Sequence, residues 1–191
     1  MPKDHSLHAP LPGDLAMWFF ILAELTVFAL LILAFAITER LDPELYTLNR
    51  ARLDLSTGLA LTISLLTSGY LAAMAVTAIR KKSPRLGSGL LLGACLSATV
   101  YTTLKFGEYQ HLASQGLDID ANRFFTLYWI VTGFHFLHVL LGLVILAFMS
   151  LRAWRNYYPP EQLGNLESGV LYWHMVDLIW VVLFPLIYLP R

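Results

Sequence analysis

Five long apolar runs, at 15–37, 57–79, 86–104, 124–151 and 169–190, dominate this chain and leave little room for anything but membrane-spanning helices. A helix needs roughly 20 apolar residues to cross about 30 Å of hydrocarbon, and each run meets or approaches that length. Barrel strands would alternate apolar and polar residues over about 10 positions, and these runs do not. With no water in the hydrocarbon, backbone groups must be satisfied internally, which a helix does within one segment. The expectation is an all-α integral membrane bundle of five transmembrane helices forming a single domain over 1–191. Composition agrees: 57% of the residues are hydrophobic and the mean hydropathy is +0.61. The connections are short, and a balance of 13 basic against 13 acidic side chains points to no nucleic-acid partner.

The only formal charges inside the runs are Glu24 and Asp177. His135, His138 and His174 join them as buried ionisable candidates. Such groups are costly in hydrocarbon, face the interior of a bundle and pair with one another. With a 1.5 Å rise per residue, Glu24, His138 and Asp177 all fall within about 4 Å of the middle of their runs. His135 and His138 stand three residues apart on one face with Tyr128, Thr132 and Gly142, while Asp177 shares a face with His174 and, further along, Trp173 and Trp180. Two such stripes on neighbouring antiparallel helices can satisfy each other. The helical neighbours of Glu24 are Phe20, Ile21, Val27 and Phe28, so its partner must come from another helix. Three uses remain open for this set: a hydrogen-bonded network holding the bundle, a proton-handling or ligand-facing role, and haem or metal ligation. Asp177→Asn is expected to cost about 1 to 3 kcal/mol if it leaves a buried histidine donor unpaired.

Smaller features complete the pattern. Runs two and three are rich in Gly, Ala, Ser and Thr, with Gly89 and Gly93 at GxxxG spacing, which suits close helix packing. Cys95 is the sole cysteine and reads as a small buried hydrophobe. A short interfacial helix is expected after Asp42-Pro43, the third run is expected to continue past the interface, and Tyr157-Tyr158-Pro159-Pro160 to end the fourth. Trp154, Tyr157 and Tyr158 beside Arg152 and Arg155 resemble an interfacial belt. The Lys/Arg balance of the loops is nearly even; the compact basic turn Arg80-Lys81-Lys82-Ser83-Pro84-Arg85 tips it, giving a cytoplasmic N-terminus and a periplasmic C-terminus.

Three segments then carry a resemblance: 17–35 with its mid-helix Glu24, Thr132-Gly133-Phe134-His135-Phe136-Leu137-His138-Val139 with Gly142, and Tyr172-Trp173-His174-Met175-Val176-Asp177 with Trp180. Phe106-Gly107-Glu108-Tyr109 looks like the same family's acidic-aromatic motif. The chain resembles subunit III of the haem-copper oxidases, in a five-span form lacking the first two helices of longer members. Its Gly13-Asp14 opening and short length are also similar to the branch associated with nitric oxide reductase. The resemblance implies an accessory, non-catalytic subunit of the bacterial inner membrane. In this family haem and copper or iron belong to the partner subunit I, and a phospholipid is carried in a cleft, of which the missing helices would form one wall. It implies an intramembrane polar set of Glu24, His135, His138, His174, Asp177 and Trp180, an interface motif of Glu108 and Tyr109, no bound metal and no catalytic residue. Readings of another class are a haem- or quinone-binding anchor that itself carries electrons, and a small transporter or proton channel using Glu24 and Asp177.

Overall fold

The computed structural model describes residues 15–155, 158 and 163–189, so the expectations resting on Gly13, Asp14, Tyr157, Pro159 and Pro160 lie outside the described residues. It is helical throughout: α1 (Leu15–Leu41), α2 (Pro43–Arg50), α3 (Leu55–Arg80), α4 (Pro84–Ser114), α5 (Arg123–Trp154) and α6 (Leu163–Tyr188). Five of these are long and apolar enough to cross a membrane; α2 is the short helix between the first two spans.

Helix ends follow local chemistry. Pro43 opens α2, and Asp42 accepts from the Leu45 amide at 3.2 Å. Such a proline loses nothing, because the first amides of a helix have no internal partner. Asp54 caps α3 through the Ser56 and Thr57 amides, both at 3.1 Å, and also takes both hydroxyls. Asn122 caps α5 through the Phe125 amide. At the close of α4 the chain reverses through Gly116, whose φ of 70° suits glycine, with the Leu117 amide returning to the Leu112 carbonyl.

The hydroxyls of Thr57 and Ser56 hold the Asp54 carboxyl down, to about 2. A carboxyl depressed by folding stabilises the fold above its unfolded pKa of about 4 and loses that contribution as pH falls through the folded value. Asp54→Ala should therefore cost about 1 kcal/mol at neutral pH, the usual worth of a cap, with the cost shrinking from about pH 4 downward and vanishing only below about pH 2. Thermal unfolding in detergent across that range checks the sign.

Helices α3, α4, α5 and α6 form the core, each antiparallel to its neighbour in the chain and with α6 closing back on α3, while α1 leans from outside on α5 and α6. Helix α6 is the most enclosed span and α1 the least. Small residues allow α3 and α4 to approach: Ser68, Ala72 and Ala75 face Leu91, Ala94 and Ala98, all buried, and Ser68 Oγ donates to the Ala94 carbonyl at 2.8 Å. Of the GxxxG pair, Gly89 faces open space and Gly93 touches only Leu71. The close approach is made instead at Gly87, on the buried face, where a methyl would meet Ile79. Cys95 is buried.

Gly142 of α5 is the equivalent seat for α6. An added Cβ there would run into the ring of fully buried Trp173, a rigid obstacle. Gly142→Val is expected to lose about 1–3 kcal/mol by overpacking, read as a lower melting temperature in detergent.

Candidate functional site: polar groups within the bundle

At mid-membrane the partner of Glu24 comes from another helix. Its Oε2 lies 3.0 Å from His138 Nε2, joining α1 to α5. The other ring nitrogen, Nδ1, is 2.8 Å from the Phe134 carbonyl. A carbonyl only accepts, so Nδ1 carries a proton. The Nε2–Oε2 bond then holds one further proton, on nitrogen in an ion pair or on oxygen in a neutral one, and the pair is net neutral either way. Phe28 and Phe134 flank the imidazole at 5.3 and 4.6 Å between ring centres.

His135 takes a different direction. Three residues along a helix is a rotation of about 60° from the same face, and that offset turns it past Phe28 of α1, whose ring centre lies 6.2 Å away, into the core. It is fully buried, stacked on Trp180 at 5.2 Å with the Tyr101 ring at 6.0 Å. Among the described residues, neither of its ring nitrogens has a hydrogen-bond partner, nor does the Tyr101 hydroxyl. Trp180 Nε1 donates to Thr62 Oγ1 at 3.0 Å and fastens α6 to α3.

His174 and Asp177 face α3, where Gly69 makes room: a methyl at Gly69 would strike the Asp177 carboxylate. Their closest atoms, Nδ1 and Oδ2, are 3.6 Å apart, and the His174 side chain is 42% exposed. The α5 and α6 stripes meet through their rings, His135 on Trp180 and Trp173 at Gly142, but their ionisable groups do not pair with each other, because α6 lies between α3 and α5 and presents Asp177 to α3. The penalty expected for Asp177→Asn shrinks with it, since His174 is not a buried donor. Among the described residues, no three of the His, Cys, Asp or Glu side chains are gathered as a metal-binding group.

A fourth cluster, at the opposite end of α6 from its N-terminus, was read only in part from sequence. Glu108 is one half of an ion pair with Lys105, Nζ to Oε2 at 2.8 Å, and Lys105 is fully buried inside the apolar end of α4. Lys105 also donates to the hydroxyls of Tyr128 and Tyr188, at 3.0 and 2.9 Å, and Tyr188 donates to Glu108 at 2.8 Å. Four aromatic rings, of Tyr109, Tyr128, Trp180 and Tyr188, surround the ammonium within 5.5 Å. Tyr109 donates to Thr132 at 3.0 Å and stacks on Trp129. The sequence signal for Lys105 was its spacing, three residues before Glu108 on a continuing helix.

Nearby, Arg50 of α2 is buried and was not expected. Its guanidinium donates to the carbonyls of Leu186 and Ile187, at 2.8 and 3.2 Å, and to Glu39 at 2.9 Å. A cation on the last carbonyls of a helix satisfies orphan acceptors and complements the helix dipole. Tyr46 of the same helix hydrogen-bonds Thr38 at 2.5 Å, and burial raises the pKa of its phenol.

The fold and these sites define a class: a five-span helical membrane protein with ionisable groups inside its spans, of which Glu24 and His138 meet across two helices. Residues 13–190 match the family model of cytochrome c oxidase subunit III, and the chain belongs to that family, the subunit III family of the haem-copper oxidases. It is similar to a probable cytochrome c oxidase subunit 3 of Nocardia farcinica, 28% identical over 98% of this chain and 92% of the relative. A probable quinol oxidase subunit 3 of Staphylococcus aureus is 25% identical over 97% and 92%. A haem-copper oxidase subunit I+III of Aeropyrum pernix is 29% identical over 95% of this chain, which spans only 23% of that relative's length.

Proposed function

We propose that this chain is an accessory, non-catalytic subunit that packs against a separate haem-bearing subunit I and supports the assembly, stability and sustained turnover of that subunit. Haem and copper or iron then reside in the partner, and phospholipid is a further companion. The parent complex, in a bacterial inner membrane with the N-terminus cytoplasmic, reduces oxygen or, in the related branch, nitric oxide. The single observation carrying the accessory role is that these groups are spent within the chain, Glu24 on His138 between α1 and α5, and Lys105 with Glu108, one turn apart on α4, on each other and on the Tyr128 and Tyr188 hydroxyls. The relatives' names support the kind of complex, and the Aeropyrum name supports the partner, since it places I and III in one polypeptide.

Affinity purification from native membranes tests the reading. A haem-containing polypeptide should accompany the chain; isolation without one overturns it. The alternative of a haem- or quinone-binding anchor draws on His135, whose two ring nitrogens are buried and, among the described residues, unpartnered. It requires a Soret band, or a bound quinone, in the isolated chain.

A further inference from the structure

The structure holds two mid-membrane acid–histidine pairs, and they differ in one respect. Glu24 and His138 are closed: both imidazole nitrogens are hydrogen-bonded within the chain. The pair His174 and Asp177 is open. Nδ1 of His174 faces the carboxylate, which leaves the Nε2 edge of a 42% exposed ring without a hydrogen-bond partner among the described residues. Asp177 backs it, with Oδ1 enclosed and, among the described residues, unpartnered.

This pair opens into a groove between α3 and α6, lined also by Leu66, Gly69, Tyr70, Leu178 and Val181. Both residues lie within a turn of the middle of α6, so the groove is at the depth of acyl chains. Lipid tails offer a polar edge nothing to bond, and ionisable groups in such positions face protein. Other outward faces make no such demand. Those of α1, with Leu22, Leu30 and Leu33 around a Thr26 whose hydroxyl donates to the Leu22 carbonyl, and of α5, with Leu137, Leu141 and Val144, suit lipid.

Resting on the partner assigned above, we propose that the α3–α6 groove seats a transmembrane helix of the haem-bearing subunit. That helix lays an apolar ridge between Tyr70 and Leu178 and presents a polar side chain that hydrogen-bonds His174 Nε2. Asp177, from behind, orients the ring rather than contacting the partner.

A photo-crosslinking amino acid placed in the full chain, in native membranes, tests this. Positions Tyr70 and Leu178 report on the groove, and Leu33 and Val144 serve as controls; all four are exposed, so none disturbs the core. Adducts with the haem-bearing polypeptide are expected from 70 and 178 and not from 33 or 144. In parallel, His174→Phe keeps the ring and removes its hydrogen bonds, and should lower recovery of the chain with a tagged haem subunit about tenfold after detergent extraction. Co-purification with adducts arising only from 33 or 144 overturns the proposal, as do groove adducts to lipid alone or to a second copy of this chain. Failure of the functional reading looks different: no haem-bearing polypeptide accompanies even the unaltered chain.

Discussion

Replacing Glu108 by alanine is expected to lower the stability of the bundle by about 3–5 kcal/mol, the largest effect of any single substitution considered. Taking one member from a buried ion pair leaves the other as an uncompensated charge, and Lys105 has no route to water from its fully buried position. Its remaining neighbours, the Tyr128 and Tyr188 hydroxyls and four aromatic faces, soften the loss without replacing a carboxylate. The double variant Lys105→Met with Glu108→Met should recover a good part of the stability, because no charge is then left behind. Recovery stays incomplete, since the two tyrosine hydroxyls still lose their partners at about 1 kcal/mol each. Thermal unfolding of the two variants and the unaltered chain in one detergent decides it. Equal losses for the single and double changes would remove the ion pair as the cause.

Arg50→Ala is expected to follow, at about 3 kcal/mol. Two carbonyls at the end of α6 lose their donors and Glu39 loses its guanidinium in one step. Arg50→Lys should rescue little. A single ammonium on a flexible stem does not reproduce a planar fork that reaches two carbonyls and a carboxylate together. The predicted signature beyond a lower melting temperature is local: amide exchange near 186–188 should accelerate before exchange elsewhere in α6.

These two residues also mark where reading the chain fell short. Arg50 sits in a mixed charged and apolar stretch, and nothing in its surroundings by position says that it turns inward to the end of a helix more than a hundred residues later. Lys105 stands at the boundary of an apolar run, where a lysine ordinarily reaches for water. Its burial follows from α4 continuing to Ser114 and from Tyr128 and Tyr188 arriving on α5 and α6. The small-residue pattern was informative about type and silent about face. It announced close packing of the second and third spans, while the contact is made by Gly87 and Ala94 rather than by the Gly89–Gly93 pair.

By itself the sequence determined the number of spans, the short helix after Asp42-Pro43, and the need of Glu24 for a partner on another helix. Each of these rests on local physics: the length of apolar chain that matches the hydrocarbon, backbone bonds closed within one segment, and a helical periodicity that left Glu24 among apolar neighbours. Only the tertiary structure decided who meets whom. The order of helices around the bundle and a rotation of about 60° between residues three apart sent His138 to Glu24, His135 to Trp180, and Asp177 to the glycine of α3. Those choices depend on where other helices stand, which is a property of the assembled fold and of no single stretch of chain.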